Sequence, residues 1–175
     1  MHSKKAILLE YSSYFFILIF FLFIAPEFFV ERVEVYGTSM ENTLFNEEHI
    51  LIEKVSRYFD GPKRFDIVVF TKEGGEKTYV KRVIGLPGET VQIIGNQIYI
   101  DGELLLESYG KNAMTMAGIA MAGITLEEDE YFVLGDNRAV SVDSRQANIG
   151  AIKKEELDGV VVFRIAPLAS FGKVE

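Results

Sequence analysis

The stretch TVQIIGNQIYIDGELL, residues 90–105, alternates apolar and polar side chains and is interrupted by two pairs of turn residues. Alternation with a period of two predicts β-strands that bury one face. Gly95-Asn96 and Asp101-Gly102 are residue types that favour tight chain reversals. The stretch therefore predicts an antiparallel hairpin followed by a further reversal, and with it a mainly β fold.

Similar runs of alternating or β-branched residues lie on both sides of this hairpin. Further strands are predicted within ERVEVYG (31–37), EEHILIEKV (47–55), FDIVVFTK (65–72), KTYVKRVIG (77–85), EYFVLGD (130–136) and LDGVVVFRIAPL (157–168). Many short strands separated by turn residues are typical of a small barrel or sandwich. No long amphipathic helix is predicted in this part of the chain.

One segment departs from the strand pattern. Residues 109–130 read YGKNAMTMAGIAMAGITLEEDE, which is rich in small residues and contains a local repeat, MAGIA then MAGIT. Two repeats are too few for a solenoid. We predict a flexible flap at about 107–128, a long loop or lid that crosses the surface. A segment that contacts a substrate or a partner is the alternative.

An apolar segment occupies most of the first thirty residues. Ala6–Ala25 would extend ~30 Å as an α-helix, which matches the hydrocarbon core of a membrane. Lys4 and Lys5 precede it and acidic residues follow it, a bias that orients the N-terminus toward the cytoplasm. The pattern predicts a transmembrane anchor within residues 1–30 and an extracytoplasmic β-rich domain at 31–175.

A cleavable signal peptide is the alternative interpretation of this N-terminal segment, because a basic start and an apolar run are also its pattern. Its removal requires small residues at the −3 and −1 positions. The sequence FIAPE offers Phe23 and Ala25, followed by Pro26, which is a poor cleavage site. The anchor interpretation is therefore favoured.

Composition excludes several classes of function. The chain has 175 residues and a formal net charge of −8, which argues against a nucleic-acid partner because phosphate binding requires a basic excess. It has no cysteine, so disulfides, thiolate zinc sites and cysteine nucleophiles are excluded. It has two histidines, and no spacing of acidic residues and histidines suggests a metal site. We expect no metal and no cofactor.

A candidate nucleophile lies shortly after the predicted anchor, at Ser39 in GTSMENTLF (37–45). His2 would lie on the cytoplasmic side of the membrane, and the lone His49 is more often structural, so a lysine is the remaining base. Lys81 lies in the middle of the strand TYVKRV with apolar neighbours on its own face. Burial there would lower the pKa of its amine from ~10.4 toward working pH. A surface lysine with its stem over the sheet is the alternative.

Polar side chains are concentrated in GDNRAVSVDSR, residues 135–145, directly after the strand EYFVL. Two aspartates, two arginines, an asparagine and two serines need hydrogen-bond partners if they are buried, and Asp–Arg pairing supplies them. A serine of SVDS could also orient the lysine amine. A charged surface turn is the alternative.

Three segments behind one anchor, GTSMENTL, YVKRVIGLPGE and GDNRAVSVDSR, closely resemble the signature boxes of bacterial type I signal peptidases, in the compact Gram-positive form. The resemblance implies a membrane-bound serine endopeptidase with a Ser/Lys dyad. It implies a coiled antiparallel β-sheet domain of the signal-peptidase/LexA-like type, with one N-terminal transmembrane helix. The implied partners are membrane lipids and the signal peptides of exported preproteins, cleaved outside the cell membrane after small residues at −3 and −1.

The resemblance assigns roles to individual residues. Ser39 is the nucleophile, Lys81 the general base, and Ser141 the hydroxyl that orients the lysine. The structural network behind the site comprises Arg82, Asp136, Arg138, Asp143 and Arg145. The residues expected to contact substrate are Val33, Val35, Tyr36, Gly37, Met40, Leu44, Tyr79 and Val80.

Two positions depart from the related box. Asn42 stands where relatives usually have proline, and Gly37 where some have a hydroxyl that stabilises the oxyanion. The substitution at Asn42 keeps a second hypothesis open, a signal-peptidase-like assembly factor or dedicated processing enzyme for surface structures such as pili. A soluble self-cleaving repressor-type protease is disfavoured by the anchor and by the net charge of −8.

Overall fold

The computed structural model describes residues 4–20, 29–72, 74–75 and 77–174. These residues form helix α1 (Lys4–Ile19) and the strands β1 (Val30–Glu34), β2 (His49–Glu53), β3 (Ile67–Thr71), β4 (Thr78–Gly85), β5 (Thr90–Ile94), β6 (Gln97–Ile100), β7 (Glu103–Leu104), β8 (Ile124–Thr125), β9 (Glu130–Leu134), β10 (Ile152–Lys153), β11 (Leu157–Ala166) and β12 (Gly172–Lys173). Short 3-10 helices lie at Ser56–Tyr58, Gly118–Met121, Lys154–Glu156 and Leu168–Ser170. Every run predicted as a strand overlaps at least one of these strands.

The strands form two antiparallel sheets. The larger sheet has the order β1-β2-β11-β3-β4-β9-β10, with β12 paired to β11, and the smaller has the order β7-β6-β5-β8. The hairpin of residues 90–105 supplies β5, β6 and β7 of the smaller sheet. The prediction of a mainly β fold is therefore confirmed.

Among the described residues, the strand edges of the larger sheet that lack a strand partner include one of β1 and part of one of β4. β1 ends the sheet and pairs only with β2. β4 pairs with β3 along Thr78–Arg82, but its other edge pairs with β9 only from Arg82 onward. The main chain of residues 78–81 consequently presents one free edge, and these residues border the same groove as Ser39.

Buried apolar residues form three core clusters. One lies under β1, β2 and the loop that follows β1, and includes Met40 and Leu44. A second lies within the larger sheet around Val68 and Phe70. The third joins the two sheets through residues such as Phe132 of β9. The first cluster holds the loop that carries Ser39, because the residue after the serine is part of the core.

The predicted anchor, Ala6–Ala25, is only partly covered by the structure. Helix α1 covers Lys4–Ile19, and residues 21–28 lie outside the described residues. Among the helices that are described, none combines the length and the apolar character needed to cross a membrane.

The small-residue segment packs onto the domain at specific points. Ala120, in the 3-10 helix Gly118–Met121, is completely buried, and Ile119 N donates a hydrogen bond to Arg145 O at 2.9 Å. The segment is thereby joined to GDNRAVSVDSR. A flap function at about 107–128 stays a prediction.

Candidate active site

Ser39 lies in a tight turn between β1 and β2. Gly37, with a φ of +88°, reverses the chain in a conformation that favours glycine, and its N–H donates to Asn46 Oδ1 at 2.8 Å. Leu44 N donates to Met40 O at 2.9 Å. Met40 and Leu44 are both buried, so the turn is fixed to the core on the C-terminal side of the serine.

Lys81 is buried beside this turn. Its side chain is 3% exposed, and its Nζ lies 2.8 Å from Ser39 Oγ and 2.7 Å from Val80 O. The pKa of the amine is lowered from 10.5 to about 8, chiefly by burial; Lys77 also lowers it, whereas Asp143 and Asp136 raise it. The structure therefore brings a serine hydroxyl together with an amine that is easily deprotonated.

A buried ion pair connects the strand of the lysine to the turn of the serine. Arg82 donates through Nε to Asp136 Oδ1 at 2.9 Å and through Nη2 to Asp136 Oδ2 at 2.7 Å. Thr43 Oγ1 also donates to Asp136 Oδ2. Because Arg82 follows Lys81 and Thr43 lies in the turn of Ser39, this triangle fixes the distance between the two reactive groups. Removing one partner of such a pair typically costs ~3–5 kcal/mol.

Asn137 is a site residue that the sequence analysis missed. Its N–H donates to Ser39 O at 3.0 Å, and its side-chain Nδ2 donates to Thr38 O at 3.1 Å. The asparagine thus holds the main chain on both sides of Ser39. The available signal was its position in GDNR, between two residues already assigned to the network.

Gly135 lies directly against the main chain of Ser39, and Ser141 Oγ lies beside the same glycine. A Cβ at position 135 would lie 2.5 Å from Ser39 O and 2.2 Å from Ser141 Oγ, so only glycine permits this approach. Ser141 Oγ is buried and has no hydrogen-bond partner among the described residues. The structure therefore places Ser141 beside the dyad but does not pair it with Lys81.

The remaining network residues are also buried and paired. Asp143 binds Arg145 through both carboxylate oxygens, at 2.8 and 2.9 Å, and accepts a hydrogen bond from Gly135 N at 3.1 Å. Arg138 pairs with Glu107, a partner outside the motif. All five predicted network residues are thus buried close to the site.

Asn42 has an unusual main-chain conformation, with a φ of +111°. Its Nδ2 donates to Tyr109 O at 3.2 Å. The Tyr109 ring in turn covers the Arg82 guanidinium, whose Cζ lies 3.7 Å from the ring centroid. The asparagine therefore connects the turn that carries Ser39 to the start of the small-residue segment.

A groove with a cavity volume of about 850 Å³ leads away from Ser39 and Lys81. Its two walls include β1 with the residues after it, and the free edge of β4. Seven of the residues expected to contact substrate line it: Val33, Val35, Tyr36, Gly37, Met40, Tyr79 and Val80. Leu44 does not; it is completely buried in the core, because the turn directs it inward.

Other groove residues were not predicted. Val140 and Val142, from the middle of GDNRAVSVDSR, lie beside the dyad end, and Thr71, Thr78 and Asp158 also line the groove. Within the described part of the chain, no three His, Cys, Asp or Glu side chains are grouped so that they could hold a metal ion.

The sequence is similar to those of several known proteins. A family model described as signal peptidase, peptidase S26, matches residues 8–166. Signal peptidase I P of Bacillus subtilis subsp. natto is 33% identical over 99% of this chain and 96% of its own length. Signal peptidase I of Bacillus licheniformis is 35% identical with the same coverage. The crystal structure of a signal peptidase I from Enterococcus faecalis V583 is 37% identical, covering 57% of this chain and 95% of that one, with a TM-score of 0.48.

Proposed function

The chain belongs to the signal peptidase family, peptidase S26, and we propose that Ser39 and Lys81 are the nucleophile and general base with which it removes signal peptides from exported preproteins. The observation that carries this assignment is the 2.8 Å distance between Lys81 Nζ and Ser39 Oγ. The lysine is buried, which favours the neutral amine that a base requires.

The first half of the reaction forms an ester. The neutral Lys81 amine accepts the proton of Ser39 Oγ while the oxygen attacks the carbonyl carbon of the scissile bond. The resulting ammonium donates this proton to the leaving nitrogen as the C–N bond breaks. The mature protein leaves with a free amine, and the signal peptide remains attached to Ser39.

The second half hydrolyses the ester. Lys81 accepts a proton from a water molecule that attacks the ester carbonyl, and the proton then passes to Ser39 Oγ as the signal peptide leaves. The oxyanion of both steps needs hydrogen-bond donors. The N–H of Ser39 is suited to this role, because no described group accepts a hydrogen bond from it, and Gly37 has no side chain to contribute.

Ser141 is proposed to position the lysine. Its buried hydroxyl has unused hydrogen-bonding capacity, and Lys81 Nζ has one position left after its contacts with Ser39 Oγ and Val80 O. A hydrogen bond between the two would direct the lone pair of the neutral amine toward Ser39. The proposal is supported by the location of Ser141 Oγ, which borders the same side of Gly135 as the main chain of Ser39.

Substrate binding follows from the two free strand edges. An extended peptide can add as a strand between the β1 side and β4, with main-chain hydrogen bonds providing affinity. Val33, Val35, Val80 and Met40 line the groove near the dyad. We propose that they restrict the −1 and −3 positions to small side chains.

The finer membrane topology is also a proposal. We infer that residues 6–25 anchor the chain, with the N-terminus in the cytoplasm and residues 31–175 outside. The large apolar side chains of Tyr14, Phe15, Phe16, Ile17 and Leu18 are exposed on α1, which suits contact with lipid. The relatives named signal peptidase I favour this enzyme over an assembly factor for pili or other surface structures.

The rate should depend on pH as Lys81 titrates. Because the pKa of Lys81 is lowered to about 8, kcat/KM is expected to rise about tenfold per pH unit below that value and to level off above it. In the Lys77→Gln variant the midpoint should move to higher pH, since a neighbouring positive charge that lowers the pKa is lost. Initial rates on a peptide with Ala-x-Ala directly before the scissile bond, measured from ~pH 6 to ~pH 10, provide the test; a flat profile would contradict a lysine base.

Gly135→Ala is expected to reduce kcat/KM by ~100-fold or more, since a displacement of ~1 Å has effects of that order. The added Cβ would collide with Ser39 O and Ser141 Oγ, so the nucleophile must move. Gly95→Ala is the control: its Cβ meets no atom within 4 Å, although its positive φ introduces strain. Kinetics and thermal unfolding should be measured together, and full activity of Gly135→Ala would show that the close approach is unnecessary.

A further inference from the structure

The floor of the groove changes character along its length. Near Ser39 it is apolar, with Val69 and Val80 on neighbouring strands. Farther along, Thr71 and Thr78 are paired directly across β3 and β4, and Asp158 of β11 lies next to them. All three line the same groove. The apolar end fits the small −1 and −3 residues, whereas the polar end has no role in the chemistry described above.

The polar end is a chain of hydrogen bonds with a defined direction. Thr71 Oγ1 donates to Asp158 Oδ2 at 2.9 Å, which uses its only hydrogen. Thr78 Oγ1 lies 3.3 Å from Thr71 Oγ1 and must be the donor of that pair. The hydrogens of both hydroxyl groups are thus used within the chain. What remains toward the groove is acceptor capacity, on the Asp158 carboxylate and on Thr78 Oγ1.

The Asp158 carboxylate is incompletely compensated. It is partly buried, and burial raises its pKa above the usual value; Glu31 also raises it, whereas the Thr71 hydrogen bond and the more distant charges of Arg57 and Lys54 lower it. No described lysine or arginine forms an ion pair with it: Lys54 is paired with Glu31, and Arg57 donates to Leu157 O. A ligand that donates a hydrogen bond would therefore restore interactions that the carboxylate lost on burial.

Strand geometry indicates which substrate residue reaches this end. Thr78 lies three residues from Lys81 on β4, or ~10 Å at 3.3 Å per residue. Residues −1, −3 and −5 of an extended substrate face the same side, since side chains alternate. If −1 and −3 face the floor beside the dyad, −5 is the next residue that faces it, ~13 Å from −1. A side chain of ordinary length spans the remainder.

We propose that Thr71, Thr78 and Asp158 form a polar subsite that binds a hydrogen-bond-donating side chain at the −5 position of the substrate. The inference rests on the proposed function, because the groove must hold the residues upstream of the scissile bond. Lysine, glutamine and asparagine fit the acceptors; glutamate does not, and leucine leaves them unpaired. The subsite would help choose the cleavage position among several small residues.

The test is a set of peptides identical except at −5, with lysine, glutamine, leucine or glutamate there, cleaved by the full chain in detergent. We expect the lysine and glutamine peptides to have a kcat/KM about tenfold higher than the glutamate peptide, with leucine between. The same exchanges at −4, which faces away from the floor, should have little effect. If no peptide is cleaved, the proposed function fails. If all four are cleaved equally, the subsite alone is overturned.

Variants of Asp158 and Thr78 test whether these residues cause the preference at the −5 position. In Asp158→Asn the lysine-to-glutamate ratio should fall from about tenfold to about twofold, whatever the absolute rate, because the charge that distinguishes the two peptides is removed. Thr78→Val, at an exposed position, should reduce the preference for glutamine over leucine without affecting folding. Asp60→Asn, also exposed, is the matched control and should keep the parental ratios. Unchanged ratios in both Asp158→Asn and Thr78→Val would overturn the proposal.

Discussion

Lys81→Met is expected to abolish peptidase activity while making the folded protein more stable at neutral pH. A general base contributes ~10²–10⁴-fold to the rate, and methionine fills similar space without accepting a proton. Lowering the pKa of a buried amine from 10.5 to about 8 corresponds to a penalty on the order of 3 kcal/mol for the charged form. Methionine removes this penalty, although two hydrogen bonds are lost with it.

The pH dependence of unfolding independently tests whether burying the charged Lys81 amine destabilises the folded protein. Because the folded pKa lies below the unfolded one, the parent protein loses stability as the pH falls from 10.5 to about 8, and the loss is complete below that. The gain in Lys81→Met should therefore be largest at neutral pH and should disappear above the unfolded pKa. Unfolding midpoints of Lys81→Met and the parent protein, measured at neutral pH and above the unfolded pKa, give this gain in stability. Lys63→Met, at an exposed position, is the control.

Double variants distinguish a dyad from two separate contributions. Groups that act as one catalytic unit have non-additive effects, so Ser39→Ala, Lys81→Met and the combination should show the same residual cleavage of an Ala-x-Ala peptide. A Lys81→Met variant with substantial activity would refute the assignment of the base. A combined loss equal to the product of the single losses would refute the coupling.

Asn42→Pro, which restores the residue usual in the related box, is expected to damage the enzyme. Proline requires a φ near −65°, whereas Asn42 has a φ of +111° and donates to Tyr109 O. An incompatible proline destabilises a protein by more than ~1 kcal/mol, and the strain would act three residues from the nucleophile. We expect both a lower unfolding midpoint and a loss of kcat/KM of ~100-fold.

Asn42→Gly separates the effect of backbone strain from the effect of losing the side-chain hydrogen bond. Glycine accepts the positive φ but cannot donate to Tyr109 O, so this variant reports the side-chain hydrogen bond alone. Its loss of activity should be clearly smaller than that of Asn42→Pro. If the proline variant were as stable and as active as the parent, the conformation at Asn42 would not be required for the turn.

Local sequence patterns were sufficient to predict the strands and to identify Lys81 as a candidate base, whereas the roles of Ser39 and Lys81 were assigned through the resemblance and are a proposal. Alternation identified the strands, and a lysine flanked by apolar residues in TYVKRV indicated a depressed pKa, which its burial supports. The clustering of charges in GDNRAVSVDSR indicated the buried network. In each case the physical cause lies within a few residues of the group concerned.

Contacts between distant residues could not be predicted in this way. Thr43 and Asp136 are 93 positions apart, and Thr71 and Asp158 are 87 apart, so no local period records either pair. The prediction for Leu44 was wrong because membership of a motif does not show where a side chain points. Leu44 was expected to contact substrate since it lies in the motif of Ser39, but the turn closed by the hydrogen bond from its N–H to Met40 O directs the side chain into the core. The predicted contact of Ser141 with Lys81 remains to be tested.

The free edges of β1 and β4 have a consequence for breadth of recognition. A strand edge binds an extended peptide through main-chain N–H and C=O groups. These hydrogen bonds are similar for any peptide sequence, since every residue except proline offers the same two groups. Precursors with unrelated sequences can then bind with a similar main-chain contribution to affinity. Selectivity then depends on the few side-chain cavities along the floor of the groove. An enzyme of this architecture can therefore bind many different substrates and still be selective for the cleavage position.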